Sequence, residues 1–402
     1  MTKQLTFVSL FFSALTVGSA GQFCYSVPAG PQQESIDEMR ARYDVVVIAR
    51  RMDEVESDDD ISSAWSAAEF QMLDALNETA PPLSRTFVAP CRKADRGREV
   101  FLLAGMSPKT DSSHNRADIR WRLARPVSIA FRHHALKIVN LKTKPLDRLK
   151  FYSEFVMDSD EDISSNAALQ LMTASDDVFA KVSTGMDRMV FRAGLEDSDL
   201  PQHLQSLYLA VLAHCGNQVD AAWLQAQIAT RSESSGLEAW IGCYLTLAGQ
   251  EGLAFVERQF LQADRPFMDR YAVMLALRYV RDQHPASLPR EALLKSLRRI
   301  LDDEQLADLV VTDLAYLEDW DSLERLIDMY QAPGAVWIRP QIVNFVRVCP
   351  LPRAAEAMKQ LRQTDASAVK RAEQFWIDEA VIRKPRHSRI RVIHRGNSGF
   401  RC

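Results

Sequence analysis

The sequence has few cysteines and lacks the short motifs that mark common enzyme classes. Its 402 residues include six cysteines, and no two have the Cys-x-x-Cys spacing of a zinc or redox site. Nucleophile-elbow motifs, glycine-rich phosphate loops and the His-Glu-x-x-His zinc motif are also absent. We therefore expect no metal ion and no cofactor, and no catalytic residue can be named from a motif.

Long apolar runs are missing from the chain after its first residues. Residues 1–20 combine Lys3, a short apolar stretch over 5–17 and the small residues Gly18-Ser19-Ala20, which together are typical of a cleavable secretory signal peptide. The stretch is short for a membrane span, and no later window approaches about 18 apolar residues. We predict a signal peptide at 1–20, no transmembrane segment, and a mature protein that is secreted or periplasmic.

Acidic residues are absent from the last segment, 383–402, which is strongly basic. The whole chain has a formal net charge of −4 although this segment is basic, so the rest of the chain carries a larger negative charge. The rest of the chain is therefore not expected to bind nucleic acid through its folded face. Three interpretations of the tail remain open: it binds an anionic polymer of the cell envelope, it adds to the barrel described below as an edge strand, or it is a disordered end. The residues that would contact a polyanion are Arg383, Lys384, Arg386, Arg389, Arg391 and Arg395.

The first part of the mature chain is rich in short strand-like runs. The run 43–50 is β-branched and continuous, as in a buried strand, and shorter apolar runs follow at 70–73, 85–89 and 100–104. Polar or proline-containing segments separate them. This spacing predicts a small barrel or sandwich over residues 21–125, preceded by a short helix at 34–42.

One family likeness rests on the order of features in this region. Cys24 comes first, followed by a strand ending in basic residues, the strand at 68–76, a second cysteine at Cys91 and the run Gly97-Arg98-Glu99-Val100-Phe101-Leu102-Leu103. That order resembles bacterial relatives of the netrin module, an OB-type barrel also found in tissue inhibitors of metalloproteinases. The resemblance implies a disulfide between Cys24 and Cys91. Inhibition of metalloproteinases is not implied. Three residues would precede Cys24 after cleavage at Ala20, so Cys24 would not be the first residue of the mature protein.

From about residue 126 the pattern becomes helical. Apolar residues recur on one face of successive stretches of about 10 to 16 residues, and pairs of such stretches return about every 35 to 40 residues. This pattern is typical of an α-solenoid, and the acidic turn and helix at 158–169 look like part of a HEAT-type repeat. The predicted fold class is therefore α+β and multidomain: a signal peptide, a small OB/netrin-like barrel at 21–125, a HEAT-like solenoid at 126–382 and the basic tail.

The helical part also resembles a family of uncharacterised exported bacterial proteins. The likeness is carried by Arg148-Leu149-Lys150-Phe151-Tyr152, by His214-Cys215-Gly216, by Gly242-Cys243-Tyr244 and by the stretch 307–320. It implies an architecture and a compartment, and no activity.

Several groups of residues that could carry chemistry have simpler interpretations. Asp158, Asp160 and Asp162 alternate like calcium ligands, but the glycine and glutamate that a calcium loop requires are missing, so we interpret them as the start of a helix. His133 and His134 are adjacent on a predicted helix and point in different directions, which favours an exposed basic edge over a metal site. Gly249-Gln250-Glu251-Gly252 is interpreted as a turn between helices. Five tryptophans are expected to fill the helical core: Trp223, Trp240, Trp320, Trp337 and Trp376.

These observations favour an exported, non-enzymatic binding or scaffold protein. Repeat architectures bind by displaying a long surface, so a protein or peptide partner would contact several helices. The alternative is an exported enzyme of unknown reaction, with its site at the junction of the barrel and the solenoid. Clustered inward-facing polar residues with perturbed pKa values at that junction would favour the enzyme.

Overall fold

A computed structural model of the chain describes residues 34–55, 65–77, 85–95, 97–107, 119–141 and 144–374. A short helix and five strands come first. The strands are close to the predicted runs but longer, and a fifth strand was not predicted. Their bounds are α1 Ile36–Arg42, β1 Val45–Val55, β2 Trp65–Ala75, β3 Thr86–Arg92, β4 Val100–Met106 and β5 Arg120–Pro126.

The five strands form one antiparallel sheet in the order β3-β2-β1-β4-β5. The two outer strands approach each other, since the rings of Phe87 on β3 and Trp121 on β5 stack at 4.8 Å between centroids. The sheet is thus a nearly closed, OB-like barrel, as predicted. The missed strand, β5, has the sequence Arg-Trp-Arg-Leu-Ala-Arg-Pro, in which polar and apolar residues alternate at first as in a half-buried strand.

The continuous apolar run of β1 is buried on both faces. Val45, Val47 and Ala49 belong to the barrel core, because side chains alternate across a strand. Val46 and Ile48, which point outward, are also fully buried. The outer face of β1 is therefore covered, and α1 contacts this strand.

Helices make up the rest of the described chain. The described chain divides into two compact units between Asn217 and Gln218. The change from strands to helices therefore falls inside the first unit. The first unit contains α2 Ile129–Val139, α3 Pro145–Ser153, α4 Glu161–Met172, α5 Asp176–Ser183, α6 Arg188–Leu195 and α7 Gln202–Cys215. The second contains α8 Gln218–Thr230, α9 Leu237–Phe260, α10 Phe267–Gln283, α11 Arg290–Ile300, α12 Ala307–Tyr316, α13 Leu323–Gln331, α14 Arg339–Val348, α15 Pro352–Thr364 and α16 Ala366–Gln374.

Several side-chain contacts in the second unit join residues that are far apart along the chain. Four hydrogen-bonded pairs join residues that are 35 positions apart, and other bonds span 32, 33 and 39 positions. The four pairs are Ser234 with Asp269, Arg270 with Gln305, Arg278 with Asp313, and Tyr330 with Asp365. The regular repeat of about 35 to 40 residues stays a prediction.

The predicted turn at 249–252 is a kink within α9. Gly249 has φ 61° and ψ −146°, which interrupts the helix between its two halves. Among the described residues, none of the helices combines the length and apolarity needed to cross a membrane.

Candidate functional site

The site residues predicted from the sequence lie mostly outside the described ranges. This applies to the signal peptide, to Cys24 and to the basic tail with Arg383, Lys384, Arg386, Arg389, Arg391 and Arg395, so those assignments stay predictions. Cys91 is buried in β3, with its Sγ atom 3.6 Å from the Arg92 carbonyl oxygen. Its pairing with Cys24 likewise stays a prediction.

The junction of barrel and helices lies within the first unit and contains a partly buried polar network. The Tyr152 hydroxyl on α3 donates to Asp37 Oδ2 on α1 at 2.7 Å, and Arg148 Nη2 donates to the same oxygen at 2.5 Å. Arg148 also donates to the Leu141 carbonyl at 2.6 Å. Burial, and then the Asp37 carboxylate, raise the pKa of Tyr152, so its hydroxyl stays protonated as the donor.

The other acids at this junction are also bonded across it. Asp162 at the start of α4 accepts from Arg125 of β5 at 2.5 Å and from the Ser128 amide at 3.3 Å. Asp74 of β2 accepts from Arg132 of α2 at 2.5 Å. Each of these carboxylates thus fastens a helix to the barrel.

The acidic turn before α4 is a helix start, which confirms our interpretation. Asp160 is the N-cap residue, and its side chain accepts from the Asp162 amide at 3.0 Å and the Ile163 amide at 3.2 Å. Within the described ranges, no three His, Cys, Asp or Glu side chains come together to hold a metal ion.

His134 departs from the sequence interpretation, because it is buried and not part of an exposed basic edge. Its side chain on α2 is 3% exposed and lies between Phe151, at 5.6 Å between ring centroids, and Phe155, at 4.5 Å. Neither ring nitrogen has a hydrogen-bond partner within the part of the chain that the structure describes. Burial lowers the pKa of His134 to about 4, so the ring is neutral at pH 7.

The second unit presents a face formed by three neighbouring helices. α12 contacts α14, and two arginines of α10 bond to Asp313 of α12, so the three helices lie side by side. α10 and α12 each have one partly exposed stripe at helical spacing, and α14 has partly exposed residues at its two ends. We call the following residues the three-helix face: Tyr271, Leu275 and Arg278 on α10, Leu309, Thr312 and Tyr316 on α12, and Val348 on α14.

Tyr316 on this face is held in place by charged neighbours. The Arg281 guanidinium lies over its ring at 4.5 Å from the centroid. Arg281 is itself fixed by two bonds to Asp282, at 2.6 and 2.8 Å, and by one to Asp313 at 2.8 Å. Asp313 is buried and also accepts from Arg278 Nε at 2.9 and 3.0 Å. Tyr316 is still 38% exposed, so an oriented aromatic ring faces solvent.

The tryptophans follow the predicted core role only in part. Trp240 is buried and packs against Trp223, with 5.8 Å between ring centroids, and Trp320 packs against Phe345 at 5.4 Å. Trp337 is exposed, so the prediction is wrong for this residue. Trp376 lies outside the described residues.

Sequence reasoning missed the three-helix face, although a signal for it exists. Arg278 and Asp313 are oppositely charged and 35 positions apart, which is within the repeat length predicted from the sequence. No known protein family, curated protein or solved structure matches this chain.

Proposed function

We propose that this chain is an exported, non-enzymatic binding protein whose three-helix face binds a peptide segment of a partner protein. The observation that carries the proposal is the oriented, exposed ring of Tyr316 beneath Arg281. Tyrosine and arginine dominate the energetics of protein interfaces, where they act as anchors. Because Arg281 is already held by Asp282 and Asp313, little side-chain freedom is lost on binding.

The surroundings of Tyr316 suit an extended peptide. Leu275 and Leu309 supply apolar contact area, and Thr312 supplies a hydroxyl that can donate to or accept from a peptide backbone. The stripes on successive helices repeat this mixture, so binding energy would come from several helices, as in other stacked-helix proteins.

Four polar side chains of the barrel–helix junction are engaged in bonds that join its elements. An enzyme there would use one of the junction's carboxylates, its buried histidine or its buried tyrosine as a proton donor or acceptor. Asp37, Asp74 and Asp162 each accept bonds from arginines that join the elements, and Tyr152 donates to Asp37. These groups hold the first unit together.

The test uses residues 21–402 immobilised and panned against a phage-displayed library of random peptides. Enriched peptides are synthesised, and their affinities for the wild type and for Tyr316→Ala are measured by isothermal titration calorimetry. We expect loss of the ring to weaken binding by about 10-fold or more, as at an interface hot spot.

Ile129→Ala is the control, since Ile129 is an exposed apolar residue that belongs to the first unit and is not part of this face. It should bind the peptides as the wild type does. Two results would overturn the proposal: no enriched peptide, or equal binding by wild type and Tyr316→Ala while circular dichroism shows both folded.

A further inference from the structure

The helix α6 was not predicted from the sequence, and it is apolar on two opposite sides. Asp187 caps its start by accepting from the Met189 amide at 2.9 Å. On the inner side Phe191 and Leu195 are buried, and the Phe191 ring meets the Tyr208 ring of α7 edge to face at 5.3 Å. This side anchors the helix in the first unit.

The outer side of α6 is also apolar, but nothing in the described structure covers it. Met189 is 52% exposed, and Val190 and Ala193 are exposed beside it. At 3.6 residues per turn these three side chains fall within about a third of the helix circumference. Large apolar side chains that lie together and exposed on one side of a helix are typical of a contact surface, and the outer side of α6 has this character.

Met157, from the turn between α3 and α4, extends this surface. A Cβ atom on Gly194 would lie 3.1 Å from Met157 Cε and 2.7 Å from the Tyr208 ring. The missing side chain at Gly194 therefore lets Met157 lie against α6, and Met157 is itself exposed. We call Met157, Met189, Val190 and Ala193 the methionine patch; methionine is common on surfaces that accept apolar side chains of varied shape.

Acidic residues surround the methionine patch. Asp187 lies at one end of α6 and Glu196 and Asp197 at the other, and Glu154 lies one turn before Met157; all four are exposed. Burial, and then the Asp197 carboxylate, raise the pKa of Tyr208, whose ring lies under Gly194.

The nearby arginines reduce this negative charge without cancelling it. Arg188 and Arg192 lie on the partly buried side of α6, and Arg192 pairs with Glu196 at 3.9 Å. The charge left around the patch is negative.

We propose that the methionine patch is a docking surface for a cationic amphipathic helix of a partner protein. The apolar face of that helix would cover Met157, Met189 and Val190, and its lysines or arginines would face Asp187, Glu196, Asp197 and Glu154. This surface lies in the first unit and is independent of the three-helix face.

A helix suits this surface better than an extended strand. The backbone N–H and C=O groups of α6 are bonded within the helix, so it offers no edge with which a strand could pair. A docking strand would leave its own backbone groups unpaired against apolar side chains, at a cost of about 1 to 3 kcal/mol for each buried group. A helix satisfies its own backbone and presents apolar side chains at every third or fourth position.

The probe is a synthetic peptide of about 18 residues that forms about five helical turns, with leucines on one face and lysines on the other. Two control peptides are used: one has glutamate in place of every lysine, and the other has the same composition in scrambled order. Residues 21–402 are labelled with 13C at the methionine methyl groups, so that Met157 and Met189 report on the patch. Affinity is measured by fluorescence anisotropy.

We expect the leucine–lysine peptide to shift the methyl signals of Met157 and Met189 and to bind at least about fivefold more weakly to Met189→Gln. Met268→Gln is the matched control, because Met268 is 53% exposed and lies in the second unit. Its affinity should equal that of the wild type. The glutamate peptide and the scrambled peptide should bind much more weakly, and added salt should weaken the leucine–lysine peptide as well.

Three results would overturn the proposal. The first is binding that Met189→Gln leaves unchanged. The second is equal binding of the lysine and glutamate peptides. The third is a dimer of the free chain, seen by analytical ultracentrifugation, that Met189→Gln dissociates, because a second copy of this chain would then be the occupant.

Discussion

The Tyr152 hydroxyl donates a hydrogen bond to the Asp37 carboxylate across 115 positions of sequence. This contact fastens the first helix of the described chain to α3, beside an ion pair between Asp37 and Arg148. The Tyr152 side chain is buried, so the hydroxyl would lose its hydrogen-bond partner inside the protein if this contact were removed.

Tyr152→Phe should lower the free energy of unfolding by about 1 to 2 kcal/mol, because it removes one bond to a charged group and keeps the ring. Urea denaturation followed by circular dichroism measures the change. Tyr208→Phe is the control, since Tyr208 is a buried tyrosine for which the described part of the chain provides no hydrogen bond. Equal stability of wild type and Tyr152→Phe would contradict a fastening role for this contact.

His134 should make the first unit less stable in mild acid. Its pKa is about 4 in the folded protein against 6.5 for an unperturbed histidine, so between these values the unfolded chain binds a proton that the folded protein does not. The contribution of His134 to the free energy of unfolding is fully present above about pH 6.5 and decreases as the pH falls towards 4. The expected loss between pH 7 and pH 5 is about 2 kcal/mol.

His134→Phe removes this titration, so the variant should lose about 2 kcal/mol less than the wild type over the same interval. Urea denaturation at pH 7 and pH 5 provides the comparison, and His133→Phe is the control. Carboxylates that titrate in the same range affect all three proteins alike. Parallel pH profiles for wild type and His134→Phe would show that His134 is not the acid-sensitive group.

Asp313→Ala should lower the free energy of unfolding by about 3 kcal/mol, because two arginines would lose the buried carboxylate that they share. Asp302→Ala is the matched control. Asp302 pairs with Arg325 at the surface, where its side chain is exposed, so its loss should change stability by less than about 0.5 kcal/mol. The two variants are compared by chemical denaturation. An equally small effect of Asp313→Ala would contradict the role of this network in orienting Arg281.

Gly249→Ala should destabilise the second unit by about 1 to 3 kcal/mol. The conformation of Gly249, with φ 61°, is strained for any residue with a side chain, and an added Cβ would lie 3.3 Å from the Ser287 carbonyl oxygen. Gly185→Ala is the control, since its Cβ would make only an ordinary contact at 3.6 Å with the Val182 carbonyl. Thermal denaturation should separate the two variants, and equal melting temperatures would mean that the kink tolerates a side chain.

Local features of the fold could be read from the sequence because they depend on neighbouring residues. The β-branched run that contains Val45 and Ile48 predicts a buried strand, and this prediction is confirmed by β1. The helix start after the acidic turn at 158–162 and the break at Gly249 were likewise visible in spacing alone. Helices α5 and α6, of eight residues each, were missed.

The candidate sites depended on tertiary structure. Helical periodicity indicates which side of a helix is apolar, but it does not say which other element covers that side. For this reason His134 was misassigned as exposed, and the exposed outer side of α6 was not foreseen. The pairing of Asp37 with Tyr152, like the contact of Met157 with Gly194, joins elements that only packing brings together.

By itself, the sequence determined a small barrel followed by helices, because strand and helix periods, caps and glycine positions are local properties of the chain. The tertiary structure decided which polar groups are satisfied inside and which apolar groups remain outside. The physical reason is that burial and ion pairing are set by the nearest neighbours in space, and in this protein those neighbours are often 35 residues, or more than 100 residues, away along the chain.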